Sequence, residues 1–410
     1  MTAPPIRLGP RPLPLHLAIQ TMTWLSSRAA LPSLSNGSLN WRPELAEAVA
    51  ALEKNLRGVD PDALARAVDA EAGRRLIAFI QGLRAYHSHP GRRALAEPPC
   101  VWNQGSTRLL DYGATAPRGK DGAPLLVVPS LINRAYILDL TRERSLMRHL
   151  ARQGFRPLLV DWGVPGEVER AFSLDDYVAG RLEGALDAAC GLANRPAAVV
   201  GYCMGGLLAL ALAQRRPAQV AALVLMATPW DFHAQDNGAN RLLEAAAPAL
   251  SAMIEALGIL PVDVLQAMFA SLDPYRTPRK FQRFATIDPD SPKAAMFVAL
   301  EDWLNDGVPL AGRVARETLF GWYVKNAPAR GAWCIGGRPV LPAEVSARSL
   351  VVIPEQDYIV PPDSAAPLGE ALPGAEIRIV PTGHIGMVVG AHAKRVLYDP
   401  LADWLVETIG

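Results

Sequence analysis

Residues 199–206 read Val-Val-Gly-Tyr-Cys-Met-Gly-Gly and lie between a short Val-rich run and a longer Leu- and Ala-rich run. The first run is typical of a buried strand and the second of a helix. A residue on a sharp turn between them has strained backbone angles, so its neighbours must lie close together. Gly201 and Gly205 permit that approach because they have no side chains. The stretch predicts a strand, a tight turn that presents Cys203, and a helix.

Such a turn has the form of a nucleophile elbow, with cysteine where serine is usual. The turn lifts the sulfur of Cys203 above the sheet, and the backbone N–H of Met204 then points toward an oxyanion that develops on the substrate. The positive end of the following helix favours a thiolate. A structural cysteine in a glycine-rich turn is the alternative when this motif is taken alone, because buried cysteine often serves as a small apolar residue.

After about residue 105 the sequence alternates between strand and helix patterns. Predicted strands lie at 125–129, 156–161, 197–202, 220–227, 349–354 and 376–381, and predicted helices at 143–153, 173–190, 204–215 and 391–408. This alternation predicts an α/β fold with a mostly parallel sheet flanked by helices.

Two residues downstream of the turn complete a catalytic pattern. Asp357 and His384 each follow a predicted strand, and the carboxyl ends of parallel strands meet at one edge of a sheet. Nucleophile, acid and histidine come in the chain order of the α/β-hydrolase fold. We therefore predict a triad of Cys203, His384 and Asp357. Asp231 is the competing acid, but Asp357 comes just ahead of the last strand and His384.

The rest of the site is expected at the same strand ends. The loop after strand 125–129 should supply the second oxyanion donor, with the N–H of Leu131 as the candidate beside that of Met204. Four residues are candidates to line the substrate pocket: Asn133, Tyr136, Trp162 and Trp230. Asp161 also falls at a strand end. Polar residues and tryptophans in such places often only cap or pack, so packing is the alternative for each.

Composition excludes several classes of protein. Half of the 410 residues are apolar, and 41 Lys and Arg balance 40 Asp and Glu to a net charge of +1. That balance argues against a nucleic-acid binder or a polybasic membrane protein. The four cysteines are too widely spaced for a disulfide framework or a zinc site, and no His-Glu-x-x-His motif occurs. We expect no metal and no cofactor.

Two apolar stretches could be mistaken for targeting or membrane segments. Residues 13–25 are only mildly apolar and lack a clear small-residue cleavage site. The uncharged run 196–214 approaches the ~20 residues that span a bilayer, but three glycines interrupt it and the strand–turn–helix pattern explains it better. We predict a cytoplasmic protein with no transmembrane segment.

The chain is predicted to contain two parts. Residues 1–100 form an N-terminal extension, with a Pro-rich irregular arm over the first forty residues and then helices at about 44–56 and 61–86. Residues 101–410 form the catalytic domain. Within it, residues 231–345 are mainly helical and lack the strand–helix alternation, which is typical of a cap or lid inserted between strands.

The sequence resembles a known family, the polyhydroxyalkanoate (PHA) synthases. Within that family it is most similar to the short, class III-like synthases, which work with a separate partner subunit. The resemblance runs from about Pro99 to the C-terminus. Its blocks are LINRAYILDL (131–140), RSL (144–146), VDWG (160–163), SLDDY (173–177), GYCMGG (201–206), ATPWDFH (227–233), EQD (355–357), VPP (360–362) and GHIG (383–386).

The resemblance implies an acyltransferase that polymerises (R)-3-hydroxyacyl-CoA. Cys203 would take the acyl group and release CoA, so the CoA thioester is a substrate and not a cofactor. His384 would take the thiol proton and later activate the 3-hydroxyl of the next unit, while Asp357 orients the imidazole. The implied partners are the acyl-CoA and the growing polyester, with association to polyester granules and with a partner subunit or a second copy both left open.

One residue departs from the family pattern, because Tyr358 follows the acid where the family usually has histidine. Two other functions also stay open. One is a hydrolase on the same scaffold, namely a thioesterase, an intracellular polyester depolymerase or a lactone hydrolase. The other is a non-catalytic relative bound to granules, against which the intact triad argues.

Overall fold

The computed structural model describes residues 6–235 and 238–410. The helices of this part are α1 (Leu13–Ser35), α2 (Ala46–Leu56), α3 (Pro61–Ser88), α4 (Leu146–Arg152), α5 (Glu183–Ala193), α6 (Met204–Arg215), α7 (Ala239–Leu257), α8 (Val262–Leu272), α9 (Arg276–Phe284), α10 (Pro292–Asn305), α11 (Gly312–Arg316), α12 (Pro362–Ala371), α13 (Gly386–Val389) and α14 (Asp399–Ile409). Its strands are β1 (Cys100–Gln104), β2 (Thr107–Asp111), β3 (Pro124–Val128), β4 (Arg156–Asp161), β5 (Ala197–Tyr202), β6 (Val220–Met226), β7 (Ile259–Leu260), β8 (Leu310–Ala311), β9 (Cys334–Ile335), β10 (Arg338–Pro339), β11 (Arg348–Pro354) and β12 (Glu376–Val380).

Eight of the strands in the described residues form one sheet in the order β1-β2-β4-β3-β5-β6-β11-β12. The pairs from β4 to β12 are parallel, and only β1 with β2 and β2 with β4 are antiparallel. Helices α4, α5, α6 and α12 pack against these strands. The predicted α/β fold with a mostly parallel sheet is confirmed, and each predicted strand lies within one or two residues of an observed one. The antiparallel β1–β2 pair was not predicted.

The chain divides into two compact units. The first comprises Met1–Arg92 and Gln266–Asn305, and the second comprises Arg93–Leu265 and Asp306–Gly410. In the first unit, α3 and α9 meet at an aromatic core that includes Phe79, Tyr86 and Phe281. The second unit contains the eight-stranded sheet and is built around the fully buried strands β3 and β5.

One part of the N-terminal prediction was wrong. Residues Leu13–Ser35, expected to form an irregular arm, are the helix α1. Serines and threonines of this helix donate their hydroxyls to carbonyls one turn back, as Thr21 does to Leu17 O at 3.1 Å and Ser27 to Thr23 O at 2.7 Å. The helices predicted at about 44–56 and 61–86 are present as α2 and α3, and the Asp60 carboxylate caps the latter.

Residues 231–345 contain α7 to α11 together with the short strands β7 to β10. Part of this segment, Gln266–Asn305, belongs to the first compact unit. The predicted boundary between the two parts of the chain, at residue 100, assigned these residues to the catalytic domain instead. The role of the segment as a cap or lid stays a prediction. Within the described residues, no helix combines the length and the apolar character that a bilayer crossing requires.

Candidate active site

Cys203 lies on the turn between β5 and α6, as the sequence predicts. Its φ of 57° and ψ of −130° are strained for a residue with a side chain. Hydrogen bonds hold that conformation, because the Cys203 N–H donates to Met226 O at 2.9 Å and the Gly206 N–H donates to Cys203 O at 2.9 Å. A Cβ at Gly205 would collide with the carbonyl oxygen of Val128. The backbone of Gly205 therefore lies as close to its neighbour as the sequence predicts.

Asp357 and His384 lie in the loops that follow β11 and β12. The His384 Nδ1 donates to Asp357 Oδ2 at 2.6 Å. The other carboxylate oxygen, Oδ1, accepts the backbone N–H groups of Ile359 and Val360 at 2.8 and 2.9 Å. Since both oxygens are bonded and the Asp357 side chain is fully buried, the carboxylate is fixed in one orientation toward the imidazole.

The imidazole of His384 is also influenced by Cys203, which contributes to raising its pKa. Because Nδ1 is bonded to Asp357, Nε2 is the nitrogen left to interact with the Cys203 side chain. Tyr202 supports the ring from one side, with centroids 5.3 Å apart and planes 31° apart. Its hydroxyl donates to His384 O at 3.1 Å. The structure therefore joins Asp357 to His384 and places His384 beside the residue that precedes Cys203. That the three residues act as a catalytic triad stays a prediction.

The charges of the site shift the pKa of the imidazole. Burial would lower the pKa of His384, but the negative charge of Cys203 and the hydrogen bonds to Asp357 and Cys203 outweigh burial and raise the pKa to about 10. The imidazole of His384 is therefore protonated through neutral pH. Burial, followed by the charges of Cys203 and Asp357, also raises the pKa of Tyr202, so its hydroxyl stays protonated.

The predicted oxyanion donors lie on adjacent elements. Met204 is the first residue of α6, and Leu131 follows β3, which pairs with β5 through Val128 and Gly201. The indole N–H of Trp162 donates to Pro129 O at 3.0 Å, which fixes the start of the loop that carries Leu131. That the two N–H groups point at a substrate oxyanion stays a prediction.

The four residues predicted to line the substrate pocket differ in burial and in their hydrogen-bond partners. Asn133 Oδ1 is buried and has no hydrogen-bond partner in the part of the chain that the structure describes. The hydroxyl of Tyr136 donates to Asp306 Oδ2 at 3.2 Å. Trp230 is buried, and its backbone N–H donates to Ser364 O at 3.0 Å. Trp162 is packed as described above. Contact of these four residues with substrate stays a prediction.

The competing carboxylates have other partners. Asp231 Oδ1 accepts the His233 N–H and the Asn326 amide N–H, both at 2.8 Å, and so ties the loop after β6 to a later segment. Asp161 is paired with Arg108 at 2.6 Å. The carboxylate that faces His384 is therefore the predicted one, Asp357.

A buried ion network lies in the loop between β3 and α4. Asp139 is fully buried, and its carboxylate pairs with Arg93 at 2.9 Å and with Arg148 at 2.8 Å. It also accepts the hydroxyl of Tyr112 at 3.1 Å. This network anchors the far end of the loop that carries Leu131.

Sequence reasoning missed two tyrosines near the nucleophile. Tyr202 precedes Cys203 in the elbow motif, so its position was a signal that could have been used. Tyr323 lies in the π-helical segment Glu317–Val324. Burial and then the charge of Cys203 raise the pKa of Tyr323. Nothing in the irregular sequence around Tyr323 indicates this.

All four cysteines are free. Within residues 6–235 and 238–410, no group of three or more His, Cys, Asp or Glu side chains is arranged to hold a metal ion. That the reaction needs no metal or cofactor stays a prediction.

Comparison with known proteins identifies the family. Residues 123–391 match the family model of the alpha/beta hydrolase fold, and residues 92–150 match the model described as poly-beta-hydroxybutyrate polymerase (PhaC) N-terminus. The chain is 33% identical over 293 residues to the poly(3-hydroxyalkanoate) polymerase subunit PhaC of Synechocystis sp., an alignment that covers 69% of this chain and 78% of the relative. The chain belongs to the poly(3-hydroxyalkanoate) polymerase family.

A second relative is also a PhaC subunit. The poly(3-hydroxyalkanoate) polymerase subunit PhaC of Haloferax mediterranei is 30% identical over 312 residues, which cover 75% of this chain and 63% of that relative. Among solved structures, the monoacylglycerol lipase of Paleococcus ferrophilus is similar at 16% identity with a TM-score of 0.45, over 70% of this chain and 96% of the lipase. The family match confirms the resemblance to PHA synthases and makes the chain an acyltransferase of that family.

Proposed function

We propose that this polymerase-family chain builds a polyester from (R)-3-hydroxyacyl-CoA through an acyl group carried on Cys203. The observation that carries the proposal is the hydrogen bond from His384 to the buried carboxylate of Asp357, together with the contribution of Cys203 to the raised pKa of His384. A thiolate paired with an imidazolium is a ready nucleophile toward a thioester.

Each turn of the reaction has two steps. In the first, the sulfur of Cys203 attacks the thioester carbonyl, the bond to CoA breaks, and the His384 imidazolium gives its proton to the departing CoA thiolate. In the second, the neutral imidazole takes the proton of a 3-hydroxyl, whose oxygen attacks the Cys203 thioester. An ester bond forms and the Cys203 thiolate is released. The N–H groups of Met204 and Leu131 are proposed to stabilise the oxyanion of both steps.

A thioester intermediate suits polymerisation because it is close in energy to the thioester substrate. The acyl group therefore passes from CoA to Cys203, and then to a hydroxyl, without being held as a stable ester. The same arrangement would serve a hydrolase if water replaced the 3-hydroxyl in the second step. The two functions differ in the acceptor, so the products distinguish them.

The test is an incubation of the full chain with (R)-3-hydroxybutyryl-CoA. We expect CoA release together with growing insoluble polymer, while free hydroxy acid as the only product would identify a hydrolase. Cys203→Ala should abolish both CoA release and polymer. Cys334→Ala, at an exposed cysteine, is the matched control and should leave both unchanged.

A further inference from the structure

The strands that lead to Cys203 and His384 are not neighbours in the sheet. Strands β6 and β11 lie between β5, which ends just before Cys203, and β12, which is followed by the loop of His384. Adjacent strands are about 4.8 Å apart, so β5 and β12 are separated by about 14 Å. Strand pairing alone therefore fixes the distance between the Cys203 sulfur and the imidazole only loosely.

The loops that carry the predicted acid and the histidine are joined directly. Their strands β11 and β12 are neighbours. Beyond the strands, the Glu355 N–H donates to Val380 O and the Gln356 N–H donates to Thr382 O, both at 2.9 Å. Among the described residues, no backbone hydrogen bond joins the elbow, residues 201–206, to the loop of His384. A link between the elbow and that loop must come from a side chain.

Tyr202 supplies such a link. It is the last residue of β5 and comes directly before Cys203. Its hydroxyl donates to the backbone carbonyl of His384 at 3.1 Å, and its ring lies against the imidazole with centroids 5.3 Å apart. Both side chains are buried. One residue next to the nucleophile thus contacts the backbone and the ring of the predicted catalytic histidine.

A purely structural contact is the alternative, because a buried tyrosine needs a partner for its hydroxyl whatever its role. Tyr398 makes a contact of that kind, since it is buried and its hydroxyl donates to the carbonyl oxygen of Val388. Tyr202 differs in its acceptor, which is the backbone of His384 itself, and in the second contact with the imidazole. These two contacts favour a role in placing the ring.

We propose that Tyr202 is a positioning residue, which links the elbow to the loop of His384 and so sets the distance between the imidazole and Cys203. Its effect on the reaction rests on the proposed function, while its effect on the position of His384 does not. Tyr202 acts through His384 and does not take part in the transfer of protons or acyl groups. Tyr202→Phe keeps a ring beside the imidazole and removes only the hydroxyl link.

The first test compares the steady-state release of CoA from (R)-3-hydroxybutyryl-CoA by Tyr202→Phe and by Tyr398→Phe. Displacement of a catalytic group by about 1 Å can cost 10²-fold in rate, so kcat of Tyr202→Phe should fall at least about tenfold while KM stays nearly unchanged. Tyr398→Phe is the matched control, because it also loses a buried bond from a hydroxyl to a backbone carbonyl. It should keep the wild-type kcat. Urea unfolding measures how far each variant is destabilised.

The second test does not depend on activity. Cys203 makes the largest of the contributions that raise the pKa of His384 to about 10, so the response of that pKa to Cys203→Ala reports how close the two side chains are. The pKa is measured by NMR of chains labelled with ¹³C at the histidine Cε1, and His384→Gln identifies the signal among the seven histidines. In the Tyr202→Phe background, Cys203→Ala should lower the pKa by less than about half of its effect in the wild-type background. In the Tyr398→Phe background its effect should be unchanged.

The proposal is overturned if Tyr202→Phe keeps the wild-type kcat, if the two tyrosine variants lose kcat equally, or if Cys203→Ala changes the pKa of His384 equally in all backgrounds. A wild-type chain that releases no CoA would contradict the proposed function instead. The NMR titration alone would then decide whether Tyr202 positions His384.

Discussion

Replacing Asp357 by asparagine tests the central geometry of the site. In the wild type, Oδ1 accepts two backbone N–H groups and Oδ2 accepts the His384 Nδ1–H at 2.6 Å. An asparagine at 357 must keep its oxygen toward the backbone donors, because an amide N–H cannot face two other N–H groups. Its NH₂ group then points at His384, whose Nδ1 becomes an acceptor and whose Nε2 carries the proton. The imidazole presents the wrong tautomer to Cys203.

The expected loss is large because no step can proceed from that tautomer. The same substitution in a serine triad lowers kcat by about 10⁴-fold, which is about 5 kcal/mol of transition-state stabilisation. We expect a similar fall in the steady-state rate of CoA release from (R)-3-hydroxybutyryl-CoA, with the fold unchanged. Tyr358→Phe is the matched control, because Tyr358 is 80% exposed and should not affect the rate.

Single-turnover measurements extend this test to the two steps. If Asp357 acts through the tautomer of His384, acylation of Cys203 and transfer to the 3-hydroxyl should both slow. If the carboxylate instead acted directly on the hydroxyl, acylation would be preserved and only transfer would slow. An Asp357→Asn variant that keeps more than about a tenth of the wild-type rate in both steps would refute the reasoning.

Three further outcomes follow from the same structure. In Gly205→Ala the new Cβ would collide with the backbone carbonyl oxygens of Val128 and Pro129, so the free energy of unfolding should fall by at least about 2 kcal/mol. The control is Gly191→Ala, in open space within α5, which should raise the free energy of unfolding by about 0.5 kcal/mol. Chemical denaturation measures both. Arg148→Ala removes one of the cations paired with a fully buried carboxylate and should cost about 3 kcal/mol in the same assay. The pKa of His384 is raised from 6.5 to about 10, so its contribution to stability is complete below pH 6.5 and is lost as the pH rises through about 10. In Cys203→Ala that loss should begin at a lower pH, and urea unfolding across pH tests this.

The strands of the site were predictable from the sequence because each is a short apolar run with a chemical residue at its end. β4, β5 and α6 begin and end where the pattern predicts them. The triad was predictable for a related reason. A parallel sheet brings the carboxyl ends of β5, β11 and β12 to one edge, so chain order and strand position are enough to place Cys203, Asp357 and His384 near each other.

Other features depend on contacts that a local pattern does not contain. In helix α1, residues that also favour turns bond their hydroxyls to carbonyls one turn back, so the local pattern does not distinguish this helix from a loop. The grouping of α9 and α10 with residues 1–92 depends on aromatic packing between segments about 200 residues apart.

In the proposed reaction one imidazole serves both steps. Tyr358 is exposed whereas Asp357 is buried, and the proposed reaction assigns both roles to His384, first as an acid and then as a base. The causes of its pKa permit this. The negative charge of Cys203 contributes most to raising the pKa, and burial opposes it. Acylation converts the thiolate to a neutral thioester, which removes that charge while burial remains. We therefore infer that the pKa of His384 falls when Cys203 is acylated, so that the imidazole is protonated when CoA must leave and neutral when the 3-hydroxyl must be activated.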